Sequence, residues 1–397
     1  MNTFPGCTAP FTALMITPEK KIRPCCKYLD DLGDLNKQSI TDILTSSAVI
    51  DLQKEMYTNK LPRLCNDCEL LEDINAKSIR HTFIPGGSCY FDTWKKGITM
   101  IELSSSNICN LSCAGCSTRF SSGWVKYAKA FEKNKDTAFY CDAIKDSPII
   151  NADNNLLIKN LLDLDLTYLQ LFKIAGGEPL LNTDMLAALR YFDEINILHK
   201  LDIVMDTSGA VIIDKNINET VTLLSKAKQV NFNISIDGPE EVQTYIRYSA
   251  KNMASLDNIR KFINTFKKNN INFKLAPTVM VYNIFSLDRL IEWWLYNYTG
   301  SDFFNFSSQV LIGPEYLTLQ TLQPATISSL ADYYNNIIET KEYGYLFSDI
   351  VNVLNSVEYG GHDLHNKMVK YTLDMDKIKG QSVYKAIPEL TNEMCYL

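Results

Sequence analysis

The sequence is poor in the features that would place a chain in a membrane or on nucleic acid. No apolar run approaches the roughly 20 residues of a membrane-spanning helix, and the first residues lack the charged-then-apolar pattern of a secretory signal. Net charge is −7, which argues against a nucleic-acid surface and leaves room only for a local basic patch. There is no internal repeat and no low-complexity segment. With 397 residues, 46% hydrophobic and 21% charged, the chain is expected to be globular, cytoplasmic and built of more than one domain.

Histidine is scarce, at four residues. His81 and His199 have no evident partner. His362-x2-His365 has no acidic or cysteine company and reads as surface or packing. Cysteine, by contrast, occurs eleven times. A reducing cytosol keeps thiols free, so this number points to metal ligation rather than disulfides. Cys89, Cys141 and Cys395 fit no spacing and read as bystanders.

Cys109, Cys113 and Cys116 stand at Cys-x3-Cys-x2-Cys spacing just after the apolar run Ile98–Leu103. Three thiolates this close in sequence can converge on one metal centre. A closed zinc site asks for four protein ligands. Tight cysteine runs are also a common way of holding iron–sulfur clusters. Three ligands on a four-iron cluster would leave one iron open to a substrate or cofactor. From these residues alone, half of a zinc site or chance spacing stays open as well.

Upstream, Cys7, Cys25-Cys26 and Cys65-x2-Cys68 are spread through what reads as a separate N-terminal unit, residues 1–96. Pro24 and Pro62 precede the second and third groups, which suits loops presenting thiolates. Between them Ile40, Ile43, Leu44, Leu52 and Met56 recur at near-helical spacing, so a helix is expected over Ser39–Tyr57. Four ligands can be drawn from this set: Cys7, Cys25, Cys65 and Cys68, with Cys26 competing with Cys25. Cys-x2-Cys is also a common zinc half-site, so a zinc knuckle and an iron–sulfur site are both open here.

From Gly97 strand and helix alternate. Strands are expected at Ile98–Leu103, Tyr168–Ile174, Leu201–Met205, Val230–Ile236, within Ile271–Val281 and at Phe303–Ser308. Helices are expected at Ser122–Lys135, Asn154–Leu164, Asp184–Asn196, Thr220–Ala227, Leu256–Lys268 and Leu287–Tyr296. Such alternation implies parallel strands with right-handed crossovers. Six units over residues 97–310 make a partial α/β barrel, whose chemistry belongs on loops at the carboxyl ends of the strands. Those ends carry Cys109–Cys116, then Ala175-Gly176-Gly177-Glu178-Pro179, then Asp206-Thr207-Ser208-Gly209, then Ser235-Ile236-Asp237-Gly238 with Arg247 downstream, then Thr278–Asn283. Glycine pairs let a ligand approach the backbone closely. Taken singly, Gly-Gly-Glu-Pro and Asp237-Gly238 are also ordinary turn sequences. Trp293 and Trp294 read as core or interface residues. A helix is expected at Ile327–Glu342, in a mostly helical extension, residues 311–397, that closes the barrel and shapes the substrate site.

Taken together, the cysteine trio and the motifs at successive strand ends resemble the radical SAM superfamily. Ile22-Arg-Pro-Cys25-Cys26, Leu61-Pro-Arg-Leu-Cys65-Asn-Asp-Cys68 and Glu72 to Arg80 resemble its SPASM or twitch auxiliary-cluster module, which more often follows the barrel. The resemblance implies a partial (β/α)6 radical SAM barrel with a small N-terminal iron–sulfur module. It implies a [4Fe-4S] cluster on Cys109, Cys113 and Cys116 that binds S-adenosylmethionine at its open iron. Gly176, Gly177, Glu178 and Pro179 would hold the amino group of SAM. Thr207 and Ser208 match the family's Thr-Asn-Gly, Ser235 would hydrogen-bond SAM, Asp237 follows it, and Arg247 would lie near the SAM carboxylate. One auxiliary iron–sulfur cluster, of the [4Fe-4S] type, is implied on the N-terminal cysteines. The implied reaction is hydrogen abstraction by a 5′-deoxyadenosyl radical, from a peptide or protein side chain or else from a small metabolite, with a reductase such as flavodoxin or ferredoxin as partner. A metal-binding scaffold without turnover is the alternative of another class. The family often has an aromatic residue before its third cysteine; here Gly115 stands there, so apolar contacts for the adenine are expected from the fifth strand end.

Overall fold

The computed structural model describes residues 6–58, 61–73, 77–84, 95–132, 148–211, 215–268, 270–298, 305–306 and 308–395. Cys89, Cys141 and the side chain of Cys395 lie outside the described residues.

The strands are β1 (Ala13–Ile16), β2 (Lys21–Arg23), β3 (Gly33–Asp34), β4 (Met100–Leu103), β5 (Leu171–Ile174), β6 (Asp202–Thr207), β7 (Gln229–Ile234), β8 (Ile271–Leu275), β9 (Thr278–Val279), β10 (Asn305–Phe306) and β11 (Gln309–Val310). Among the described residues one sheet runs in the order β10-β8-β7-β6-β5-β4-β1-β2-β3. From β4 to β10 every pairing in it is parallel. The six expected barrel strands are therefore present and in chain order. β9 pairs in parallel with β11 in a separate two-stranded piece.

Alternation along the strands sorts the two faces of the sheet. Ile101, Leu103, Phe172, Ile174, Ile203, Met205, Phe232 and Phe273 belong to the main core. There Phe232 meets Phe262 and Phe266 of the helix Leu256–Phe266 at ring distances of 5.4 and 5.0 Å. Each such ring buried contributes about 1.5–3 kcal/mol. The opposite face carries Met100 and Leu171, which pack with Cys7, Tyr28, Leu52, Met56 and Phe83 in a second core.

The N-terminal segment shares the barrel's sheet. β1 lies parallel to β4, with Ala13 opposite Met100 and Ile16 opposite Leu103, and β2 and β3 continue the sheet antiparallel. A four-residue strand, fully buried, is too short to show a period in sequence. The expected single helix over Ser39–Tyr57 is two helices, Ile40–Leu44 and Ser47–Glu55. Ser39 and Ser46 each cap one: their side chains accept from Asp42 N and Val49 N, and an N-cap starts a new helix rather than continuing an old one.

The C-terminal extension is mostly helical, with helices Pro324–Thr340, Ser348–Ser356 and His362–Lys379. The last of these ends at Gly380, whose φ of +67° is the left-handed cap that glycine favours. His365 is buried and its Nδ1 lies 2.8 Å from the Thr321 carbonyl, so it is a packing residue. Among the described residues no helix is long and apolar enough to cross a membrane.

Candidate active site

The loop after β4 is tied down on several sides. Ser112 N and Ala114 N donate to the Tyr248 and Ile246 carbonyls, each at 2.8 Å. Trp124 Nε1 donates to Cys113 O at 3.0 Å, and Tyr371 Oη to Ala114 O at 2.9 Å. Lys379 Nζ donates to Ser112 O at 2.5 Å. Three successive carbonyls, 112 to 114, are thus held by side chains, two of them from the last long helix. Cys109, Cys113 and Cys116 are free thiols. Burial raises all three, Cys116 to about 12, and Cys113 raises both of its neighbours through repulsion between thiolates. Such groups stay protonated unless a cation takes the proton's place, which is the chemistry of metal loading.

Arg247 Nη1 lies 3.9 Å from Cys113 Sγ. Asp237 aims it, with Nε to Oδ2 at 2.6 Å and Nη2 to Oδ1 at 3.3 Å. Burial opposes the charge on Arg247, but Asp237 and Cys113 outweigh it and hold the guanidinium firmly protonated. Asp237 also accepts from Thr278 N at 2.9 Å. Both of its oxygens are engaged by the protein, through Arg247 and Thr278 N. The half-buried Ser235 has its backbone N–H on Thr207 O. Gly115 has Met280 Cε and Leu311 Cδ1 nearest to it, 3.5 and 3.6 Å from where a Cβ would stand. Apolar side chains from the fifth strand end and from the residue after β11 therefore border the space beside Gly115.

The turn after β5 needs its glycines for packing. Gly176 has φ +76° and Gly177 φ +56°. A Cβ on Gly176 would stand 1.8 Å from Ser104 Oγ, and one on Gly177 2.5 Å from the Ile108 carbonyl. Glu178 N donates to that same carbonyl at 2.8 Å, which ties the turn to the residue before Cys109. The Glu178 carboxylate is buried and accepts from Thr207 Oγ1 at 2.5 Å, Ser208 Oγ at 2.7 Å and Ser208 N at 3.1 Å. Burial still pushes its carboxyl above the usual range, against the hydrogen bonds from Ser208 and Thr207. The motifs after β5 and β6 are thus one hydrogen-bonded unit. Pro179 is buried at the start of a short 3-10 turn. Asn110 donates to the Ala210 carbonyl, and its Oδ1 is buried without a partner.

In the N-terminal unit Cys7, Cys25, Cys65 and Cys68 line one cavity together with Pro24, Met56, Ile79 and Arg80. Burial raises each of these thiols, Cys7 to about 11 and Cys65 to about 12. Cys26 turns elsewhere. It is raised to about 11 by burial and feels Glu102 and Lys173 of β4 and β5. Among the described residues no three His, Cys, Asp or Glu side chains close on a single metal-ion position.

Close to Cys26 lies a charged belt that the motifs did not reveal. Lys173 Nζ is 3.5 Å from Glu102 Oε1 and 3.4 Å from Asp206 Oδ2. Asn233 Nδ2 donates to Asp206 Oδ1 at 2.6 Å. Burial works against the charge on Lys173, but Glu102 and Asp206 raise it well above the usual range. Glu102 is 2% exposed, and its Oε2 has no partner. The sequence signal was there: Glu102 and Lys173 each interrupt an otherwise apolar strand.

The family model of the radical SAM superfamily matches residues 103–293, and that of the SPASM iron–sulfur cluster-binding domain matches residues 7–69. No curated protein matches the chain. Among solved structures, native anSMEcpe with bound AdoMet is 17% identical with a TM-score of 0.40, covering 72% of this chain and 67% of its own. The same protein with AdoMet and the Kp18Cys peptide is 17% identical with a TM-score of 0.38, covering 62% and 66%. SuiB of Streptococcus suis bound to its precursor peptide SuiA is 16% identical with a TM-score of 0.33, covering 72% and 54%. The chain thus spans between about half and two thirds of the length of these structures. The two family matches take in both cysteine groups and every strand-end motif through Arg247, and on them the chain belongs to the radical SAM superfamily, as an iron–sulfur enzyme with a SPASM domain ahead of its barrel.

Proposed function

We propose that this enzyme cleaves S-adenosylmethionine reductively and removes a hydrogen atom from a peptide or protein side chain. The family brings a four-iron cluster, SAM and, through the SPASM domain, further iron–sulfur. When bound, that set supplies one electron to SAM and yields methionine and a 5′-deoxyadenosyl radical. Cys109, Cys113 and Cys116 hold the cluster as thiolates. Gly176 to Pro179 receive the SAM amino group, with Thr207 and Ser208 fixing the Glu178 carboxylate. Arg247, aimed by Asp237, lies toward the SAM carboxylate, and the Ser235 hydroxyl is a further donor. Met280 and Leu311 give the adenine an apolar wall. Cys7, Cys25, Cys65 and Cys68 hold the auxiliary cluster.

The observation that carries this reading is the meeting of the cysteine loop, the glycine turn and Arg247 at the carboxyl ends of consecutive parallel strands. The proposed division is an auxiliary-cluster unit over residues 1–96, a barrel over 97–310 and an extension over 311–397. A low-potential reductase, flavodoxin or ferredoxin, serves as electron source. The belt of Glu102, Lys173 and Asp206 suits a polar group of the substrate.

The same belt gives a second reading, a small charged metabolite as substrate. Mass spectrometry of what co-purifies anaerobically with the enzyme separates the two. A bound peptide supports the first reading, and a bound metabolite replaces it with the second.

A further inference from the structure

Two cations stand over the cysteine loop, and they differ in what surrounds them. The charge of Arg247 is matched by Asp237 through two hydrogen bonds. No carboxylate pairs with Lys379 among the described residues. Its ammonium sits instead 4.3 Å from the ring centre of Trp124, 5.2 Å from Tyr248 and 5.7 Å from Tyr127. Its one hydrogen bond to the loop is to Ser112 O. Aromatic faces and a carbonyl present negative potential to the ammonium, while burial works against its charge and pushes it down to about 7, a shift that thiolates at Cys113 and Cys116 oppose. The cage is fixed: Trp124 and Tyr127, and Tyr127 and Tyr248, meet edge to face, and Tyr248 Oη donates to Lys379 O at 2.8 Å. Lys379 is 6% exposed, and water screens it little.

We propose that Lys379, carried by the last long helix, is a positioning residue that sets the reduction potential of the cluster held by Cys109, Cys113 and Cys116. The proposal rests on that ligand assignment. Reduction adds one electron, and with it one negative charge, to the cluster; in the measurement below the electron comes from dithionite. Negative charge at Cys113 and Cys116 supports the Lys379 ammonium, and that ammonium, held behind Ser112 by its hydrogen bond and its aromatic cage, in turn favours the reduced state. The C-terminal extension then belongs to the redox site itself.

The test uses the full chain, reconstituted anaerobically, as wild type, Lys379→Gln and Lys379→Arg. Glutamine keeps a donor for Ser112 O and removes the charge; arginine keeps the charge. Each protein is titrated with dithionite and followed by electron paramagnetic resonance, reading the signal that changes on adding SAM, which separates this cluster from the auxiliary one. Lys379→Gln is expected to hold wild-type iron and to have a more negative midpoint, so that a smaller fraction is reduced at any fixed potential. Lys379→Arg is expected to return the midpoint towards wild type. An unchanged midpoint in Lys379→Gln overturns the proposal. Lys379→Met, which lacks the donor as well, gives an independent reading if Lys379→Gln does not fold. A wild-type protein with no SAM-responsive signal sinks the ligand assignment instead, and the two failures are told apart in one experiment.

Discussion

Cys25 and Cys26 are neighbours in sequence and face different sites. Cys25 lines the cavity with Cys7, Cys65 and Cys68, while Cys26 lies buried near Glu102 and Lys173. On this difference in surroundings we propose Cys25, rather than Cys26, as the fourth ligand of the auxiliary cluster.

That relationship predicts unequal variants. In protein whose Cys109, Cys113 and Cys116 are replaced by alanine, about four irons per chain remain after reconstitution if the auxiliary cluster is of the four-iron type. Adding Cys25→Ala lowers that number sharply, and adding Cys26→Ala leaves it in place. Iron, sulfide and zinc analysis checks this; zinc without sulfide would mean a zinc module.

Glu178 is held by three hydrogen bonds from Thr207 and Ser208. If it receives the SAM ammonium group, Glu178→Ala removes a charged hydrogen bond of about 1.5–3 kcal/mol. SAM affinity then falls by roughly ten- to a hundred-fold with iron content near normal. Equilibrium binding of SAM to the two proteins measures it, and equal affinities would return the turn to a structural role.

Gly177 links stability to cluster loading. At φ +56°, with a Cβ 2.5 Å from the Ile108 carbonyl, Gly177→Ala both strains the backbone and pushes on the residue before Cys109. A loss of about 2–4 kcal/mol is expected, together with reduced iron uptake. Thermal unfolding and iron analysis report the two effects; full iron with unchanged stability would show that the turn relaxes freely.

The buried thiols give the apoprotein a pH dependence of known sign. Their folded pKa values lie above the ordinary value of 9.0, to about 11 for Cys7 and about 12 for Cys65 and Cys116. The folded state therefore keeps protons that the unfolded chain gives up. This contribution is fully present below about pH 9 and is lost as pH rises through 11 to 12. Reduced apoprotein should unfold at lower urea at pH 10 than at pH 8. Cluster-loaded protein, whose thiolates are already on iron, should lose less. An equal loss in both forms would contradict the assignment of these thiols as ligands.

Much of the barrel and of its site was legible in sequence, because both rest on local signals. Short apolar runs bounded by polar residues, such as Ile203 to Met205 between Asp202 and Asp206, mark strands, and the motifs follow strands at short distance. What escaped was non-local. The four-residue β1 reveals itself only by pairing with β4. The break at Thr45-Ser46 is set by an N-cap that outweighs the apolar period. Glu102, Lys173 and Asp206 are far apart in the chain and meet only through strand register. Lys379 sits in the last turn of its helix, where a cation near the helix C-terminus is ordinary, and its cage is drawn from Trp124, Tyr127 and Tyr248, more than 130 residues away.

The central claim is that Cys109, Cys113 and Cys116 hold the cluster at which SAM is cleaved. Anaerobic incubation of reconstituted protein with SAM and dithionite, followed by chromatography of the nucleosides, tests it most directly. The account predicts 5′-deoxyadenosine from the wild type and none above background from Cys113→Ala, with the auxiliary iron still present in the variant. Equal 5′-deoxyadenosine from both proteins would contradict it.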